Sequence, residues 1–180
     1  MKAILNETNE QNEKVIHLMI TDLCDRRCPL CCNNQYELTD IPIVTDEEFQ
    51  KAERIYLTGG EPFAYGKPNI VAKELKEKYP NISRIVVYTN ALELAIYLLK
   101  GGAVDFIDGV TVSLKDKRDR EAFDRVIVNH SEIRKLRYNR LYVFKEVDYP
   151  ICPRGFEKRD REWQKVFVAA PNSIFRRIKF

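Results

Sequence analysis

No stretch of this chain approaches the roughly 18–20 consecutive apolar residues that a membrane-spanning helix needs, so no membrane partner is expected. Residues 1–14 hold no apolar run long enough for a signal peptide. There is no internal repeat, no low-complexity tract and no interdomain linker. The one cysteine-rich stretch is not followed by a second pair of metal-ligand spacing, and no cysteine-rich extension closes the chain. These absences argue against a disulfide framework and auxiliary clusters. They lead to the expectation of a cytoplasmic protein with one core domain over residues 15–180. A polar arm, residues 1–14, precedes it, and the path after about residue 150 is weakly signalled.

What is present is a chain of 180 residues, 44% hydrophobic and 32% charged, enough for one domain with a real core. Its formal net charge of +3 is unevenly spread. Residues 1–114 carry 12 Lys/Arg against 17 Asp/Glu, and residues 115–180 carry 18 against 10. A basic C-terminal third is a solvated surface in most proteins, and an anionic partner is the sharper expectation. The basic run Arg134 to Arg140 has the same two readings.

Four of the five cysteines lie within nine residues, and Cys24, Cys28 and Cys31 are spaced C-x3-C-x2-C. Thiolates select zinc, copper(I) or iron–sulfur clusters. A structural zinc site needs four protein ligands, whereas a [4Fe–4S] cluster held by three cysteines keeps one iron open. Cys32 directly follows a ligand and reads as a small packed side chain. Cys152 reads as an inert thiol, with a remote ligand or hydrogen donor as the alternative. Arg26 and Arg27 read as solvated, or as the docking point of an acidic electron donor.

Apolar runs alternate with helical spacing. Strands are expected at 15–21, 54–58, 82–89, 110–114 and 140–147, with a last one at 166–170. Helices are expected at 46–52, opened by a Thr45-x-x-Glu48 capping box, and at 67–79, 91–100 and 118–128. This is an α/β pattern, and the fold expected is a partial (β/α)6-type barrel with a mostly parallel sheet. In such folds the chemistry gathers at the C-terminal ends of the strands. The cysteine loop, Gly59-Gly60-Glu61-Pro62, Asn90, Ser113 and Lys115 all fall there. The period of two turns Thr111, Ser113 and Lys115 inward, away from Val110, Val112 and Leu114. Tyr56, Thr58, Tyr88, Asn90 and His17 share that inward face. His17 reads as a satisfied core histidine. A polar interior suggests that something polar is bound.

These residues resemble the radical S-adenosylmethionine superfamily. Cys24-x3-Cys28-x2-Cys31 is similar to its cluster motif, and Leu57-Thr58-Gly59-Gly60-Glu61-Pro62 to its second motif one strand later. The resemblance implies that Cys24, Cys28 and Cys31 hold a [4Fe–4S] cluster whose open iron takes S-adenosylmethionine. Thr58, Gly59 and Gly60 would bind its methionyl part, with the glycines allowing close backbone approach, and Glu61 would either add an acceptor there, the favoured role, or only fix the turn. Ser113 and Lys115 would bind ribose or carboxylate, Asn90 would reach the ribose or the substrate, and Leu30 would lie near the adenine. Reductive cleavage would yield a 5′-deoxyadenosyl radical that abstracts hydrogen from a substrate. An electron donor such as flavodoxin or ferredoxin is implied.

Two residues depart from the family's pattern. Leu30 stands where an aromatic is common, and Ala91 stands where the family often has glycine after Thr-Asn. A positive φ there would strain an alanine. The substrate stays open between a protein and a nucleotide-like molecule. Cys31-Cys32-Asn33 resembles glycyl-radical enzyme activases. Ser113-Leu114-Lys115 resembles 7-carboxy-7-deazaguanine synthase, one of several nucleotide or nucleic-acid modifying possibilities. A non-catalytic iron–sulfur or zinc module is the remaining alternative, and it leaves Gly59-Gly60-Glu61-Pro62 without a purpose.

Overall fold

The computed structural model describes residues 14–166, 168 and 172–179. The expected N-terminal arm, apart from Lys14, lies outside the described residues. So does most of the strand expected at 166–170.

Seven parallel strands form a single open sheet: β1 (Val15–Thr21), β2 (Arg54–Gly59), β3 (Arg84–Asn90), β4 (Gly109–Leu114), β5 (Asn139–Phe144), β6 (Phe156–Arg161) and β7 (Ile174–Arg177). Their order is β6-β5-β4-β3-β2-β1-β7. The connections from β2 to β5 carry α2 (Pro68–Lys78), α3 (Ala91–Leu99), α4 (Lys117–Asn129) and the short α5 (Ser131–Lys135), and α1 (Asp46–Lys51) precedes β2. The sheet does not close, so the architecture is an α/β partial barrel. Five of the strands lie where alternation places them. The sixth and seventh do not, and β7 returns to the far edge, beside β1.

Each helix begins for a local reason. Thr45 and Glu48 form the expected capping box of α1, with bonds of 3.2 and 3.0 Å. Pro68 opens α2, where its missing N–H costs nothing. Asn90 caps α3 by accepting from Glu93 N at 2.9 Å, and Asp116 caps α4 by accepting from Asp119 N at 2.9 Å. Both caps sit at the mouth formed by the strand ends, so the residues that start the helices also build the site.

The main apolar core lies between the sheet and its helices, and includes Ile16, Leu57, Ile85, Val110, Val112, Leu114 and Phe123. The other, concave face is the polar one expected. There His17 stacks on Tyr56 at 4.9 Å, Tyr56 meets Tyr88 edge-on at 6.0 Å, and Tyr88 meets Tyr142 at 6.3 Å. Tyr36 and Leu38, past the cysteines, pack with Met19, Ile41 and Phe175. Among the described residues, no helix is long and apolar enough to cross a membrane.

Candidate functional site

The site starts where β1 ends. Gly60 N donates to Thr21 O at 2.7 Å and Glu61 N to Leu23 O at 2.8 Å, so β2 continues its pairing into the first residues of the cysteine loop. The approach is close. A Cβ on Gly59 would lie 2.0 Å from Thr21 O, and one on Gly60 would lie 2.0 Å from Leu23 O. Gly59 also has a φ of +126°, a conformation that side chains disfavour. Sequence reasoning assigns the Gly-Gly pair to a ligand's approach. In the structure the chain's own backbone already requires it.

The Glu61 carboxylate ties the turn after β2 to the end of β3. Its Oε1 accepts from Thr89 Oγ1 at 2.6 Å and Phe63 N at 3.2 Å, and its Oε2 from Asn90 Nδ2 at 2.6 Å and Asn90 N at 3.0 Å. Four donors match the capacity of one carboxylate. Glu61 therefore fixes the turn; of the two roles open to it in the sequence, this is the one the geometry fills. Burial pushes its pKa up to about 7, against the pull of these bonds and of the Lys115 charge. Asn90 is likewise engaged, through Nδ2 to Glu61 and Oδ1 to the α3 cap. The strain expected at Ala91 does not arise. Ala91 is the first residue of α3, and the only non-glycine residues with positive φ among those described are Lys67 and Asn172.

The cysteine loop is tied down by a residue that sequence reasoning misreads. Arg26 is not solvated: its side chain is 10% exposed. Its Nη1 donates to Asp119 at 2.7 Å and its Nη2 to Asp116 at 2.6 Å. Asp119 is fully buried and also accepts from Lys115 N at 2.9 Å and Leu92 N at 3.4 Å. One carboxylate thus joins the cysteine loop, the end of β4 and the first turn of α3. Next to Arg26, Asp25 shares a hydrogen bond with Glu93, whose pKa is raised by burial and by the Asp25 charge. The only sequence signal for this clamp is the Asp116-x-x-Asp119 spacing at the start of α4. Nothing in the sequence points to its partner.

All five cysteines are free thiols. Cys28 and Cys31 are half-buried, and Cys24 and Cys32 exposed. A hydrogen bond from the Cys32 thiol lowers Cys31 to about 6, and the same bond pushes Cys32 upward. Desolvation raises Cys24. The Lys115 ammonium is near enough to favour the charged forms of Cys24, Cys31, Cys32 and Glu61. Ser113 is half-buried on the concave face, in register with Asn90 and Tyr142. Thr58 shares that face, opposite Met19. Leu30 is 38% exposed at the tip of the loop. Cys152 is elsewhere: its Sγ donates to Phe156 O at the start of β6, the end of the sheet opposite the cysteine loop. It is not placed to be a fourth ligand.

Among the described residues, no three His, Cys, Asp or Glu side chains are gathered in a geometry ready for a metal. The donor set itself suits an iron–sulfur cluster: three thiols on one loop, one with a lowered pKa, beside a lysine. His17 is half-buried and packs against Tyr56 and Tyr88. Burial, and then the Arg140 charge, lower its pKa to about 4, so it is neutral between its tyrosines.

Gln35, three residues past Cys32, was also missed. Its Nε2 donates to Leu30 O at 3.4 Å and to Gln164 O at 3.2 Å. Gln164 lies just past β6, so loops from opposite regions of the open sheet meet at the mouth. No protein-family model, no curated protein and no solved structure matches the chain.

Proposed function

We propose that this chain is a radical S-adenosylmethionine enzyme. The observation that carries the reading is the convergence at one end of a parallel sheet. The Cys24–Cys31 loop, the Gly59-Gly60-Glu61 turn, Asn90 and Lys115 are joined by hydrogen bonds or by charge. Cys24, Cys28 and Cys31 would hold a [4Fe–4S] cluster, beside a Lys115 whose charge already acts on Cys24 and Cys31. Such a cluster, with S-adenosylmethionine on it, would supply the radical that takes hydrogen from a substrate.

The chain's own residues provide placement. Arg26 and Asp119 fix the loop that carries the thiols. Glu61 locks the β2 turn against β3. Lys115 supplies a positive charge for the thiolates or for a ligand carboxylate. The tyrosines and His17 line the concave wall below and present a neutral imidazole there. A cytoplasmic location and an electron donor of the flavodoxin or ferredoxin type accompany this reading.

Metal analysis after anaerobic purification tests it. The expected result is iron and sulfide in equal amounts, lost in Cys28→Ala. Zinc without sulfide would reject the reading and favour a zinc module, and unchanged iron in Cys28→Ala would remove that residue as a ligand.

A further inference from the structure

Buried polar atoms in folded proteins almost always find partners, and the exceptions call for a ligand or ordered water. Three buried side-chain atoms lack one among the described residues: Thr111 Oγ1, Arg161 Nε and Gln35 Oε1. Thr111 and Arg161 belong to the concave wall. Thr111 pairs in register with Tyr88 and Arg140, and the Arg161 guanidinium lies 4.1 Å over the Tyr142 ring. Gln35 belongs to the contact that spans the mouth above them.

The wall is also short of negative charge. The inward face of β6 carries Glu157, Arg159 and Arg161, with Arg140 opposite on β5. Glu157 meets Arg159 at 2.6 Å and Arg140 at 3.5 Å. Arg161 has no carboxylate within ion-pair distance among the described residues. An arginine fork held over an aromatic ring, with a donor unmet, suits an oxyanion that accepts two parallel hydrogen bonds, as a phosphate does. Tyr88 and Tyr142 are half-buried and offer ring surface for stacking.

We propose that this wall binds a nucleoside monophosphate, with the base against Tyr88 and Tyr142 and the phosphate on Arg161. A basic peptide would be repelled here, and a neutral one offers nothing to Arg161. That the nucleotide is the substrate rests on the radical reading above; that it binds does not.

The protein carries its own reporter. Trp163 is its only tryptophan, lies two residues past Arg161 and packs on Phe144 at 4.4 Å. The full chain is titrated with GMP, guanosine and inorganic phosphate while Trp163 fluorescence is followed, before and after cluster loading. GMP is expected to saturate, with guanosine at least about tenfold weaker for want of one charged hydrogen bond and phosphate about as much weaker for want of base stacking. Arg161→Gln should weaken GMP by at least about tenfold and leave guanosine unchanged, and Arg161→Lys should fall between. S-adenosylmethionine should not displace GMP. Equal affinity for GMP and guanosine, an unaffected Arg161→Gln, or displacement by S-adenosylmethionine would each overturn the proposal. GMP binding by a cluster-loaded chain that cannot cleave S-adenosylmethionine would uphold the site and reject the radical reading instead.

Discussion

Arg26 stands two residues after Cys24, and its two short ion pairs decide where the thiols lie. Breaking a buried pair is costlier than never having formed it, because the surviving charge is left without a partner. Asp119 has no exposure and would be that charge. Arg26→Ala is therefore expected to destabilise the fold by about 3–5 kcal/mol, the range for an orphaned buried charge. Arg26→Ala with Asp119→Asn should recover part of this. Urea denaturation of these two variants and of Asp119→Asn alone checks it, and additive losses in the double variant would mean that the pair is not coupled. The clamp was illegible in the sequence for a plain reason. An isolated arginine and an aspartate 93 positions away share no periodicity. The cysteines were legible because three thiols in eight residues have few structural uses.

Among the elements, the β1–β2 junction is the one that a single methyl group would disturb most. Gly59 and Gly60 both face backbone carbonyls at 2.0 Å from an added Cβ, whereas Gly101, also at positive φ, has nothing within 4 Å. Gly60→Ala should cost about 1–3 kcal/mol as overpacking, and Gly59→Ala more, since its φ adds strain. Gly101→Ala carries backbone strain alone, so equal losses at positions 59 and 101 would show that crowding plays no part. Strand legibility follows the same local logic. β1 to β5 alternate apolar and polar residues or run apolar, because one face packs on helices. β6 reads Phe-Glu-Lys-Arg-Asp-Arg and was not recognised. It is an edge strand whose charges discourage pairing with other chains, and that hides its period of two. β7 has only four residues and pairs with the strand farthest from it in sequence among those of the core, β1. No local pattern predicts that return.

For the whole molecule, two groups give opposite slopes of stability with pH. Glu61 is raised from 4.5 to about 7, so the folded chain holds that proton more tightly than the unfolded chain. Its contribution is complete below pH 4.5 and is lost as pH rises through 7. His17 is lowered from 6.5 to about 4, so its contribution is lost as pH falls through that range. Each is on the order of 3 kcal/mol and the two oppose one another between pH 4.5 and 6.5. His17→Phe should unmask Glu61, and its Tm should gain on wild type as pH falls across this window. Glu61→Gln should unmask His17 and lose ground instead. Parallel profiles for wild type and both variants would contradict the pKa assignments.

At this scale the parallel sheet and the end at which the site lies were readable from alternation and motif order. The curl that brings Gln164 to Gln35 was not, since it depends on how far an open sheet twists. Product formation reads out directly whether this mouth initiates the radical chemistry proposed for it. The chain is loaded anaerobically with iron and sulfide, reduced with dithionite and given S-adenosylmethionine. The account predicts 5′-deoxyadenosine and methionine in equal amounts, and neither from Cys28→Ala. A fully loaded chain that forms neither product would contradict it.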